Sequence, residues 1–217
     1  MSVIKKWFTV LIVILVIVAM VFVVSCSGSK ANVDSSEASG KSEAKENGAA
    51  EKANYNIGDT GPAGGLIFYI NPNSKADGWQ YLETSPNDFP GDANDFEIKW
   101  SDKEGKETGA TGTAIGAGMS NTEKIIGIQG EGSYAAKLCG DLIINGIGDW
   151  FLPSNDELDL IYKNIVLKGI AGIETFNYWS STEYDATNAY YDKFGGGILI
   201  YNGKNVSNRV RAVRAFN

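Results

Sequence analysis

The pattern of apolar and polar positions divides the 217-residue chain into three stretches. Lys5 and Lys6 precede an unbroken apolar run from Val10 to Val24, the charge-then-apolar order of an export signal. Ser27 to Asn54 reads SGSKANVDSSEASGKSEAKENGAAEKAN, with no aromatic residue and one valine as its only large aliphatic. Such a segment cannot bury enough apolar surface to offset the entropy of ordering, and it predicts a disordered tether that reaches about 30 Å root-mean-square. From Tyr55 onward glycine, aromatic and branched residues dominate, as in one domain of about 160 residues, a size that buries around 70% of its chain surface. The expected divisions are 1–25 for a signal peptide, 26–54 for an anchor and linker, and 55–217 for the folded part.

Within that folded part, LIFYI at Leu66 to Ile70 follows Gly64-Gly65 and is almost wholly apolar, the mark of a strand buried on both faces. WQYLE at Trp79 to Glu83 alternates and predicts a second strand. Ser120 and Glu123 stand three apart ahead of KIIGI, the spacing of a reciprocal helix cap; a further helix is expected over Tyr134 to Cys139. Ser154 and Glu157 repeat the spacing after Pro153, with Leu158, Ile161, Tyr162 and Ile165 forming one apolar stripe behind them,. Asp156 and Glu157 then occupy a first turn, where unpaired amide N–H groups favour negative charge. A cap of about 1 kcal/mol explains these carboxylates without metal or catalysis. YWSSTEY, AYYDKF, GILIY and RVRAVRAF follow at strand length, and Asn202-Gly203 is a hairpin signal,. Helices before a run of strands predict an α+β domain.

Charge and cysteine content narrow the setting. Setting aside Lys5 and Lys6 from the 19 basic residues leaves 17 against 26 acidic ones, a formal charge of −9. An acidic, histidine-free chain is unsuited to sequence-independent nucleic-acid binding, which needs a lysine- or arginine-rich surface. Val23-Val24-Ser25-Cys26 closes the apolar run and resembles the bacterial lipobox, whose cysteine is diacylated and becomes the new N-terminus. The resemblance implies a membrane-bound, extracytoplasmic lipoprotein anchored through Cys26, with Ser27 compatible with outer-membrane or cell-surface sorting. An uncleaved anchor and ordinary secretion stay open, since spanning takes roughly 20 apolar residues. With Cys26 lipidated, Cys139 has no disulfide partner, and in YAAKLCG it reads as a small buried apolar residue.

The series GGLIFY, GDWFLPSNDEL, YWSSTEY and VRAVRAF, in this order, resembles the DUF1566 domain, also called the Lcl C-terminal domain after a bacterial collagen-like adhesin. The resemblance covers Ile57 to Phe216 and extends to the C-type-lectin-like superfamily. It implies a mixed domain whose first and last strands pair, used for binding or adhesion, with glycan or glycosaminoglycan binding associated with the collagen-like member. Some relatives carry a cysteine in the last strand, where this chain has Ala212.

Candidate chemistry is sparse. The absence of histidine removes Ser-His-Asp and Cys-His catalysis and the commonest zinc ligand. Two S-x-x-K matches, at Ser27 and Ser42, lie in the tether, and Gly116-Ala117-Gly118 lacks the third glycine of a dinucleotide fingerprint,. Asp92, Asn94 and Asp95 leave calcium open without matching an EF-hand. The superfamily's formylglycine-installing oxidase needs active-site cysteines that Cys139 alone does not supply. In the last motif Arg209 and Arg211 share one face and Arg214 the other; Arg211 and Arg214 read as structural, with Asp149, Glu157 and Glu183 as candidate partners of Arg214. Trp179 reads as core. Tyr184, Tyr190, Tyr191 and Tyr201, near turns, are the candidates to meet a sugar ring.

These readings converge on a non-catalytic, lectin-like module for a carbohydrate or extracellular protein. A carboxylate-dependent hydrolase of envelope or extracellular glycans and a structural envelope-assembly component are the alternatives. Mass spectrometry of the N-terminus should find an acylated Cys26; an unmodified N-terminus upstream of it would exclude the lipoprotein assignment.

Overall fold

The computed structural model describes residues 54–86, 97–103, 105–170 and 173–217. Cys26, the apolar run, the tether and the Asp92, Asn94 and Asp95 motif lie outside the described residues. The elements are β1 (Ile67–Ile70), α1 (Ser74–Asp77), β2 (Tyr81–Thr84), β3 (Glu97–Lys99), α2 (Gly118–Gln129), α3 (Ala135–Gly140) and α4 (Asn155–Ile161). The last runs into a π-helical turn, Tyr162–Val166, and β4 (Asn177–Glu183), β5 (Asn188–Lys193), β6 (Ile198–Gly203), β7 (Ser207–Arg209) and β8 (Val213–Phe216) follow. They form a three-stranded sheet in the order β1-β2-β8 and a five-stranded sheet in the order β3-β7-β4-β5-β6. The pairing is antiparallel except between β4 and β7. This is the α+β class that the segment order predicts.

The five-stranded sheet lies between two cores because successive strand residues point to opposite faces. On β4, Tyr178 joins Phe68, Leu158, Ile161 and Phe194, while Trp179 joins Trp100, Tyr134, Ile125 and Leu152. Trp179 is wholly buried, as expected for core, and its indole donates to the Ile98 carbonyl at 2.9 Å. Cys139 is a buried free thiol, and burial pushes its pKa up, so it packs as an apolar group.

Four local expectations are overturned. The first and last strands share a sheet but do not pair: both flank β2, which aligns Tyr81 with Ile70 on one side and with Phe216 on the other. Flanked in this way, β2 is buried at all four positions, and the alternation of WQYLE reflects a buried, hydrogen-bonded Glu83 rather than a wet face. RVRAVRAF is two strands, not one. Arg209 ends β7 in the large sheet, Val213 begins β8 in the small one, and the change of sheet is held by Arg211 Nη1, which donates to the Ser85 and Pro86 carbonyls at 3.2 and 3.1 Å. Asn202-Gly203 makes no hairpin, because β6 pairs with β5 through Gly203 and Asn188 and the chain then crosses to the far side of β4. Finally, α2 begins two residues before Ser120, with Ala117 at its N-cap and no side-chain cap; the donors at its start are met from α4 instead.

Arg214 is buried, as its place on the strand implies. Its Nε and Nη2 donate to Asp149 at 2.7 and 2.9 Å, and its Nη1 to Glu83 Oε2 at 3.2 Å. Of the candidate partners only Asp149 is correct. Glu83 Oε1 also accepts the Ala63 and Gly65 N–H groups at 3.0 and 2.9 Å, so one carboxylate ties β2 to β8 and to the opening loop. A Cβ at Gly61 would lie 2.5 Å from the Glu83 carboxyl carbon, which explains a glycine there. Glu183 serves a different loop: it accepts the Thr108 and Gly109 N–H groups at 2.8 and 2.9 Å and pairs with the buried Lys204 at 2.5 Å. Arg209 pairs with Glu174 at 2.7 Å and lies over the Phe176 ring.

Removing one partner of a buried ion pair strands the other charge and costs about 3–5 kcal/mol. Arg214→Ala should therefore lose about 3 kcal/mol or more in urea unfolding, and a loss below about 0.5 kcal/mol would show that this network does not hold the ends together.

Candidate ligand-binding site

Three of the four candidate tyrosines meet at one corner of the large sheet. Tyr184, just past β4, stacks on Tyr201 of β6 with ring centroids 4.0 Å apart and planes within 3°. Tyr190 of β5, the register partner of Tyr201, stands edge-on to both at 5.3 and 6.3 Å. Tyr184 and Tyr201 are about half exposed, at 46% and 51%. The charge that Tyr201 would carry so close by raises the Tyr184 pKa. Asp185 fixes the adjoining turn by accepting from the Asn188 side-chain amide at 3.0 Å and from the Thr187 and Asn188 N–H groups at 2.7 Å each, and these bonds, the amide's foremost, lower its carboxyl pKa to about 2. The corner is therefore a set of rigid, half-exposed tyrosine faces, a residue type that recognition surfaces favour, beside an ionised carboxylate.

Tyr191 does not belong to this cluster. It follows Tyr190 on β5 and so points to the opposite face, where it is buried edge-on against Trp179 at 5.9 Å. The residue that does share the Tyr190 face is Asp192, which sequence reasoning passed over as the polar end of AYYDKF. Strand alternation alone would have placed it there. Asp192 is 1% exposed, and its Oδ1 has no hydrogen-bond partner. Burial, with Asp159 adding like charge, raises its pKa to about 6. Asp159, on α4, is bridged by Lys163 at 2.5 Å. The edge strand β6 beside them carries Ile198, Leu199 and Ile200, each at least 38% exposed.

Ser154 and Glu157 form the capping box that their spacing implies. Ser154 Oγ accepts from Glu157 N, and Glu157 Oε2 accepts from Ser154 N at 2.8 Å. Glu157 does more than cap its own helix. Its Oε1 accepts from Gly116 N at 2.8 Å, so one buried carboxylate ties the residues leading into α2 to the start of α4. Desolvation nevertheless raises its pKa to about 7. A Cβ at Gly118 would lie 2.3 Å from its Oε2.

Among the described residues no group of three or more His, Cys, Asp or Glu is placed to hold a metal ion, and no helix is long and apolar enough to cross a membrane. A polar hollow bounded by Ser101, Thr187, Asn188 and Lys204 lies nearby, but the Lys204 ammonium is already bound to Glu183. No family model matches the chain, and no curated protein matches it.

Glu157 and Asp192 bind protons more tightly folded than unfolded, so stability should fall as pH rises through about 4.5 to 7 for the first and 3.8 to 6 for the second,. Thermal unfolding should give a Tm that drops between pH 5 and pH 8, by the equivalent of about 4 kcal/mol. A Tm that climbs across that interval would contradict the assignment.

Proposed function

We propose that this chain is an exported lipoprotein whose C-terminal domain is a lectin-like module that binds carbohydrate through the Tyr184, Tyr190 and Tyr201 corner. The tyrosine cluster is the observation that carries the proposal: aromatic rings are normally buried for their apolar area, and here two are stacked, fixed and half exposed. Their flat faces suit the apolar face of a sugar ring, and their hydroxyls suit its polar edge. The buried charges elsewhere are taken up by the fold, Glu83 by Arg214, Glu183 by Lys204 and Glu157 by backbone N–H groups. In this proposal Cys26 anchors the chain to the outer membrane or cell surface. The family resemblance points the same way, toward adhesion.

One observation favours a second reading, a carboxylate-dependent hydrolase of glycans. Asp192 and Asp159 interact beside the aromatic corner, and a carboxyl raised to about 6 is suited to give up a proton near neutral pH. Against it, Asp159 is held by Lys163, which leaves Asp192 without a second free carboxylate.

A glycan and matrix-protein array probed with the full-length protein in nonionic detergent tests the proposal. Glycan spots should bind, the Tyr184→Ala/Tyr201→Ala variant should lose at least about tenfold in signal, and its stability should fall by only about 1–2 kcal/mol. Binding confined to protein spots, or unaffected by the double variant, would overturn the carbohydrate assignment; release of shortened glycans would establish the hydrolase.

A further inference from the structure

Resting on the carbohydrate reading, we propose that the tyrosine corner and Asp192 form one site for an amine-bearing glycan, an unacetylated amino sugar whose ammonium group lodges against Asp192. The starting point is an energetic anomaly. A buried carboxylate is costly unless donors meet it; Glu83, Glu157 and Glu183 are each met by backbone N–H groups, side-chain cations or both. Asp192 is buried as deeply, at 1% exposure, with an oxygen that no donor reaches.

The surroundings say what kind of donor is missing. Tyr190 and Asp192 are two residues apart on the same face of β5, about 7 Å along the strand, and their partners on β6 are Tyr201 and Leu199. A sugar residue stacked on the tyrosines lies within reach of Asp192 along the strand, and its amine meets the carboxylate only where the side chains covering Asp192 between α4 and β6 part as the sugar binds. The charged groups facing this strip are Asp159 and Asp156 on α4, Lys163 on the π-helical turn and Asp185 beside Tyr184. Strand β6 contributes no charge. With Asp192 that makes four carboxylates and one ammonium, a field that draws in a cation and repels sulfated or uronic glycans. An ammonium already fits this geometry, since Lys163 sits on Asp159 at 2.5 Å. The exposed tyrosine faces add attraction for a cation at the approach.

This field also sets the pH dependence. Asp192 takes up a proton below about 6 and then no longer attracts an ammonium, while above neutrality the sugar amine loses its own charge. Binding should pass through a maximum, with the acid limb belonging to Asp192.

Isothermal titration calorimetry of the full-length protein in nonionic detergent, using the β-1,4-linked glucosamine tetramer, its N-acetylated counterpart and heparin, tests the proposal. The free-amine tetramer should bind at least about tenfold more tightly than the acetylated one, and heparin should not compete. Asp192→Asn should weaken the free-amine tetramer at least about tenfold and abolish the acid limb, with a Tm no lower than that of the parent because it removes a buried charge at constant shape. Equal affinity for the two tetramers, or an Asp192→Asn affinity and pH profile like the parent's while Tyr201→Ala binds weakly, would overturn the amine site and leave the tyrosine site standing. Failure of all three saccharides to bind, together with a blank glycan array, would overturn both.

Discussion

A carboxylate taken out of water must be met by donors, and that requirement organises this domain. Glu83 gathers the loop at Ala63 and Gly65 and bonds to Arg214. Glu157 gathers Gly116 ahead of α2 while capping α4. Glu183 gathers Thr108 and Gly109 and bonds to Lys204. In each case a carboxylate at the end of a strand or the start of a helix does for a glycine-rich loop what a neighbouring strand would do for a regular one. The glycines follow from the same constraint, since a Cβ at Gly61 or Gly118 would occupy the space of the carboxylate itself. With no disulfide open to it beyond a single buried thiol among the described residues, the domain uses charge-assisted hydrogen bonds, which are about twice as strong as neutral ones, to fix long connections.

The same constraint separates structure from function. Side chains with all their partners supplied by the fold have nothing left to offer a ligand, and Glu83, Glu157, Glu183, Lys204 and Arg214 are of this kind. Asp192 is the exception, buried without a donor on its Oδ1 beside rings that are half exposed. An unmet acceptor beside rigid aromatic faces is what the proposed site rests on, and its charge is what narrows the proposed ligand. The family resemblance, taken alone, would allow sulfated glycans; the carboxylates around Tyr184 and Asp192 argue for the opposite sign.

Much of the framework is legible in the sequence, because burial periodicity and caps are local. YWSSTEY, AYYDKF and GILIY are strands, Ser154 and Glu157 cap a helix, and Trp179 is core, each read from residues within a few positions of one another. What is not legible is non-local. RVRAVRAF looks like one strand because nothing in its alternation reveals that Arg211 will be anchored by the carbonyls of Ser85 and Pro86. Ser120 and Glu123 carry a cap spacing, but the start of α2 is set by Glu157 from another helix. Arg214 advertises a buried charge and Asp149 is among its foreseeable partners, whereas its second partner Glu83 hides in a strand that reads as half wet. At the site, alternation separates Tyr190 from Tyr191 and could have added Asp192, yet the stacking of Tyr184 on Tyr201 depends on a β6 that pairs only with β5.

The most direct measurement is NMR chemical-shift mapping of the isotope-labelled protein as the glucosamine tetramer is added at pH 7. Perturbations should concentrate on Tyr184, Tyr190, Asp192, Leu199 and Tyr201 and leave Glu83 and Arg214 unmoved. Saturable shifts gathered at any other surface, with these five residues still, would contradict the account.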